Sequence, residues 1–417
     1  MVEATMSAAK LDTGTLADIY RDLHAHPELS FQEHRTAAIV AQNLRALGYT
    51  VTENVGKTGV VGVLERGTGP AVMLRADMDA LPVTEQTGLE YASTVTVPTE
   101  TGVSGVMHAC GHDVHTTALL GAAKTLAADQ SWQGRLILVF QPAEEVGGGA
   151  RAMVEDNLIE RFGRPVVVLG QHVAPIPAGM LGMHSGVSYA TSDALRVTIF
   201  GRGGHASRPD ATVDALVLGA AIVTRLQTIV AREVSPNDAA VVSVGTFHAG
   251  EAPNIIPDRA VLQLSVRTFE PPVRDRVLEA ISRIIRGEAI AAGADREPEI
   301  FSVHSFPRVV NDPDASDRVH AAFGVKMPQS TVIDPGPVTG SEDVGVLSEA
   351  AGAPLVYWLL GGYDPAKFAN ASSVSEMSNV VAALPSNHSP LFAPVIEPTL
   401  SVGVSALHTA ALEWLNT

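Results

Sequence analysis

Through the first part of the chain, short apolar runs bounded by glycine and proline alternate with longer stretches in which apolar residues recur at helical spacing. Asp18–His26 and Phe31–Leu47 read as two helices around Pro27, the second stopping at Gly48. Val60–Leu64, Ala71–Leu74, Arg135–Phe140 and Pro165–Gly170 read as buried strands, and His115–Ala128, rich in alanine and leucine, as a helix. Strands alternating with helices imply an α/β architecture: a mostly parallel sheet with helices on both faces. Such sheets gather ligands at the carboxyl ends of their strands.

The pattern changes near Gly186. Ser192–Phe200 alternates apolar and polar, Asp210–Ala231 reads as an amphipathic helix, and Ala240–Phe247 and Ala260–Phe269 alternate again. Pro272–Ala292 reads as a second helix and Glu299–His304 as a last strand. The order β-α-β-β-α-β is the ferredoxin-like α+β unit. From about Asp312 the first texture resumes, with Leu355–Leu360 as a buried strand and Ile396–Leu415 as a closing helix. We therefore expect a larger domain over 1–186 and 306–417, interrupted by a smaller one over 187–305.

Composition narrows the class of function. The chain of 417 residues is 46% hydrophobic, enough for a large core, and carries a formal charge of −17 with no basic run. That balance argues against nucleic acid or an anionic membrane as partner, since both require a concentrated basic face. A single cysteine excludes an intramolecular disulfide and fits a reducing, cytoplasmic setting. The opening MVEATMSAAKLDTG has no signal pattern, and no run of ~18 apolar residues suggests a membrane span.

That cysteine lies in Met107–His115, MHACGHDVH, which sets Cys110 two residues from His112 and beside the helix-capping Asp113, with His108 and His115 flanking. The Arg135–Phe140 run empties into Gln141-Pro-Ala-Glu-Glu145, PVVVLG opens onto His172, and Asp77 and Asp79 follow the strand ending at Leu74. Thiolate, imidazole and carboxylate together hold divalent metal and activate water. Of Glu144 and Glu145, one can ligate and the other serve as general base; the residues alone do not say which. His388 sits in a polar SNHSP turn. Gly201-Arg-Gly-Gly-His-Ala-Ser207 lacks the lysine of a phosphate loop and instead presents His205. Asn254 and Arg267 add an amide suited to an oxyanion and a guanidinium suited to a carboxylate. His24 and His26, two apart on a helix end, point away from each other and are expected to be structural.

Eight collinear segments resemble a known group: RDLHAHPELSFQEHRTA, RADMDALPVTE, MHACGHDVHTTALLGAA, VFQPAEEVGGGARAM, GQHV, GRGGHASRP, APNIIPDRA and SNHSP. The group is the hippurate hydrolase, N-acyl-amino-acid amidohydrolase and auxin-conjugate hydrolase branch of the aminoacylase- and carboxypeptidase-type dinuclear metallohydrolases. The resemblance implies two divalent metals, zinc or manganese first and nickel or cobalt next, held by Cys110, His112, Glu145, His172 and His388. It implies Glu144 as the base, with Asp77 and Asp113 supporting the ligands from outside. It further implies that His205 reaches a partner protomer's active site, that Asn254 and Arg267 bind substrate, and that the inserted unit is a lid and dimerisation domain of a homodimer. The implied reaction is hydrolysis of an N-acyl-L-amino acid, a small-molecule substrate. Rival readings are a dipeptidase or carboxypeptidase of the same chemistry, an amidase using Cys110 as nucleophile, and a non-catalytic binder.

Overall fold

The computed structural model describes residues 15–99 and 102–416; the opening segment read for a signal lies outside them. The chain forms two compact units. One comprises residues through Ser185, Asn311–Pro335 and the chain from Val346 on; the other comprises Gly186–Val310 and Gly336–Gly345. The return of 336–345 to the second unit is marked by nothing in the hydrophobic pattern.

In the larger unit, eight strands form one sheet. Its centre is four neighbouring parallel strands: Gly134–Gln141, Ala71–Asp77, Val167–Pro177 and Leu355–Tyr363. Their residues are Val-, Leu- and Ile-rich and buried nearly throughout, as a strand covered on both faces requires. Thr50–Val55 and Gly59–Arg66 extend one side in antiparallel pairing. Met180–Gly182 and Thr331–Ile333 complete the other. Helices Leu16–Ala25, His34–Ala46, His112–Ala128, Pro313–Lys326 and Thr399–Leu415 share a core with this sheet, which includes Leu74, Leu138, Leu169, Phe323 and Trp358. Each buried aliphatic side chain contributes about 1.5–3 kcal/mol, against about 0–1 kcal/mol for an exposed ion pair. The sheet core, and not the charged surface, therefore fixes where the loops emerge.

The strand expected to end at Gly170 runs on to Pro177. Leu355–Tyr363 continues to pair beside it, Trp358 opposite Gln171 and Leu359 opposite His172. His172 is consequently held inside a strand and not in the loop beyond it.

The smaller unit has the sheet order Ala240–Ala249, Arg259–Thr268, Thr191–Phe200, Glu299–Phe306, all antiparallel. In chain order this is 2-3-1-4, with helices Ala215–Leu226 and Pro271–Ala291 at the two crossovers, the arrangement of a split β-α-β unit. The single helix expected over Asp210–Ala231 starts later. Val213 bridges Arg202 in extended conformation, and the Asp214 carboxylate then caps the helix by accepting the N–H groups of Leu216 and Val217. With Thr228–Arg232, this helix gives an 18-residue stretch that meets a length-and-composition test for a membrane span, a test that core helices also pass. Its Leu218, Ile222, Leu226 and Ile229 are buried in the core of this unit.

Candidate metal centre

Gly111 starts the site. It adopts φ +84° immediately before the His112–Ala128 helix, a conformation open to glycine, and a Cβ there would lie 2.3 Å from Val173 Cγ1. The turn brings Cys110 and His112 together from opposite sides of one residue. Cys110 Sγ lies 3.5 Å from His172 Nε2. His172 Nδ1 donates to the Val173 carbonyl at 2.8 Å, so Nε2 carries the lone pair that faces the sulfur. Asn387 donates to the Cys110 and Val173 carbonyls, each at 3.1 Å, and ties the cysteine loop to the strand. Next to it, His388 has φ +72° and its N–H donates to the Ala109 carbonyl. Its Nε2 comes within 3.4 Å of Glu145 Oε2.

Asp79 organises the carboxylates. Its two oxygens accept the N–H groups of Glu144 at 3.1 Å and Glu145 at 3.0 Å, while Ser30 donates to it at 2.7 Å. His112 Nδ1 lies 3.3 Å from the same carboxylate. The other His112 nitrogen, Nε2, is 3.9 Å from Glu144 Oε2 and 3.8 Å from Glu145 Oε1. His112 Nε2 and Glu145 Oε1 are buried and have no hydrogen-bond partner among the described residues. Two orphaned atoms that each offer a lone pair to one space fit a cation between them.

The electrostatics agree. Burial pushes the Glu145 carboxyl up to about 8, with Asp79 and Asp77 adding repulsion against the pull of His112. Burial opposes charge on His112, yet Asp77, Asp79 and Glu145 outweigh it and raise the ring to about 10. Burial holds His172 well below the usual imidazole range, which leaves it a neutral ligand and a poor partner for a thiolate–imidazolium pair. A concentration of buried acid that raises one imidazole this far is satisfied by a metal ion in place of the proton.

The donor atoms fall into overlapping groups, each within 4.8 Å: Cys110, His112 and His172; Cys110, Glu145 and His388; His112, Glu144 and Glu145. Asp77, His112 and His115 make another, but in it Asp77 and His115 are already committed to each other and to neighbouring groups. His115 Nδ1 donates to Asp77 at 2.5 Å and its Nε2 accepts the Val173 N–H at 2.7 Å. Arg75, buried beneath, donates to Asp77 at 2.7 Å and to Gln141 at 2.9 Å. Against its burial, His112, Arg75 and His115 hold Asp77 well below the usual carboxylate range. Asp77 thus steadies the neighbouring imidazoles. Asp113 faces away from the cluster and meets His24 Nδ1 at 2.6 Å, whose Nε2 is 3.1 Å from Glu85. His108 is buried, and burial drives it down to about 4.

In the smaller unit, His205 and Asn254 lie together and exposed: Gly204–His205 pairs with Ile255–Ile256, and Ala206 N–H donates to the Asn254 carbonyl. Ser207 N–H donates to His205 Nδ1 at 3.1 Å, so the Nε2–H is available as a donor. Arg267 lies in the separate four-stranded sheet, opposite Ser192, and donates to the Thr339 carbonyl at 3.2 Å.

A model of peptidase family M20/M25/M40 matches residues 73–386, which contain four of the five candidate ligands and both glutamates. The chain belongs to this family. It is similar to the hippurate hydrolase of Campylobacter jejuni, 42% identical over 342 residues, covering 81% of this chain and 85% of the relative. It is 38% identical over 353 residues to thermostable carboxypeptidase 1 of Saccharolobus solfataricus, covering 83% and 85%. Among solved structures, the Bacillus subtilis YXEP protein, a dinuclear metal binding peptidase of the M20 family, superposes with a TM-score of 0.73 at 30% identity, covering 96% of this chain and 98% of that one.

Within this M20 chain the sequence reading missed Asn387, the double grip of Asp79 and the salt-bridged Arg75. The last had a signal. An arginine inside VMLRAD, an otherwise apolar strand, must be buried and paired.

Proposed function

We propose that this M20-family hydrolase cleaves the amide bond of N-acyl-L-amino acids, releasing a carboxylic acid and a free amino acid. The observation that carries the reading is Cys110, whose sulfur belongs to two donor groups at once, one completed by His112 and His172 and the other by Glu145 and His388. Such a set is suited to two divalent cations, zinc or manganese by ligand type. When bound there, the cations supply Lewis acidity and lower the pKa of a water.

Glu144 has its backbone fixed by Asp79, beside a neighbour assigned to the metal. Its carboxylate takes the proton of the attacking water and returns it to the leaving amine. His205, reaching in from a second protomer, offers its Nε2–H and Asn254 its amide to the developing oxyanion, and Arg267 pairs with the substrate carboxylate. Asp77 and Asp113 hold the ligand-bearing elements.

We assign the lid and dimerisation role to the inserted unit, expected over 187–305. Its helix exposes Leu216 and Val217, and beside that helix the outer strand Ala240–Ala249 exposes Phe247, an apolar patch suited to a second copy in a homodimer. The single cysteine fits a cytoplasmic enzyme.

Hippurate is itself an N-acylated glycine, so the name of the C. jejuni relative supports the acyl-amino-acid reading. The S. solfataricus relative supports a carboxypeptidase with the same residues. A panel of benzoyl-, acetyl-, long-chain- and indoleacetyl-amino acids beside dipeptides, assayed with several divalent ions, separates them. Turnover confined to the peptides would transfer the assignment to the carboxypeptidase reading.

A further inference from the structure

Two residues that are not glycine hold left-handed backbone on either side of one buried carboxylate: Phe31 at φ +61° and Ala143 at φ +50°. Such positions persist only where their surroundings over-determine them. Here the determinant is shared. Glu33 Oε1 accepts the Phe31 N–H at 2.9 Å and the Ala143 N–H at 2.8 Å, and Thr58 donates its hydroxyl to Oε2. The Glu33 side chain is fully buried. Ala143 is gripped at its other end too, its carbonyl accepting the N–H groups of Gly148 and Gly149 at 3.3 and 3.0 Å.

The next two residues are Glu144 and Glu145, whose N–H groups go to Asp79. Three consecutive amides, 143 to 145, are therefore received by two buried carboxylates from distant parts of the chain. Asp79 fixes the tilt of the two glutamates, and Glu33 fixes the left-handed step that precedes them.

We propose that Glu33 is a positioning residue for the general base, acting through the Ala143 backbone without touching substrate. The inference rests on the assignment of Glu144 as base. Without the Glu33 acceptor, Ala143 relaxes toward ordinary backbone and the Glu144 carboxylate swings from its place. Displacements of about 1 Å cost up to ~100-fold in rate.

The test uses the metal-loaded full chain. Glu33→Met fills the space and removes the acceptors; Glu33→Gln keeps an oxygen for both amides and gives Thr58 an N–H to accept. Each is made alone, and Glu33→Met also on Glu144→Ala. The expected result is a fall in kcat of about 10- to 100-fold for Glu33→Met, with KM and metal content unchanged. Glu33→Gln should stay within about 3-fold, and Glu33→Met should add no loss to the residual rate of Glu144→Ala. A full rate in Glu33→Met, a loss that multiplies onto Glu144→Ala, or equal damage from Gln and Met would overturn it.

If the Met variant does not fold, Glu33→Asp, which withdraws the carboxylate by one methylene, takes its place. A full rate there would overturn the inference as well. A dead Glu144→Ala beside a full-rate Glu33→Met or Glu33→Asp defeats this inference alone, whereas an active, metal-replete Glu144→Ala removes the base assignment and this inference with it.

Discussion

Gly111→Ala gives a stability test whose size follows from two separable terms. The first is conformational: an alanine at φ +84° pays the left-handed penalty of about 1–2 kcal/mol. The second is steric. The new methyl would stand 2.3 Å from Val173 Cγ1 and 3.3 Å from Phe392 Cε1, and both residues are fully buried. Overpacking of this kind costs about 1–3 kcal/mol. The sum, roughly 2–5 kcal/mol, should appear as a lower urea midpoint in chelated protein, where metal affinity does not enter. Val173→Ala removes the offending Cγ1, so the double variant should regain the steric part, a coupling of about 1–3 kcal/mol, and keep the conformational one. A Gly111→Ala loss under about 1 kcal/mol, or strict additivity with Val173→Ala, would refute the reasoning.

Three further outcomes are expected. Glu144→Ala should retain metal and lose about 10²–10⁴-fold in kcat, read by steady-state kinetics beside metal analysis. A strong chelator should abolish turnover and added zinc or manganese restore it, whereas an amidase using Cys110 as nucleophile would keep its rate in chelator. The third concerns pH. Burial opposes charge on His24, but Asp113 and Glu85 outweigh it and raise the ring from 6.5 to about 10. A raised imidazole stabilises fully below its unfolded value and loses that contribution as pH climbs through the folded one. The gap in unfolding free energy between wild type and His24→Gln should therefore narrow from pH 7 toward 10; a constant gap would contradict the assignment.

The buried parallel strands were legible because both faces are apolar, and the change to alternation near Gly186 marked the second unit. The α/β class followed from strands alternating with helices, and the amidohydrolase branch, which falls in the M20 family, from eight short motifs. What stayed hidden was long-range. Asp79 receives two amides from more than sixty positions away, and Glu33 reaches Ala143 across 110 residues. His24, read as structural from its spacing to His26, gave no hint of its two buried acidic partners. His172 looked like a loop residue because the strand carrying it is polar at Gln171 and His172, and only the pairing with Trp358 and Leu359 extends it. Local pattern reports which face is buried; it does not report which distant backbone a carboxylate will hold.

The central claim, that Cys110 joins two cation sites, is tested most directly by anomalous diffraction from crystals loaded with manganese or zinc. Two metal peaks per chain, one bounded by His112 and His172, the other by Glu145 and His388, with the Cys110 sulfur reaching both, is the predicted result. A single peak, or peaks bound by other side chains while the protein turns over acyl-amino acids at full rate, would contradict it.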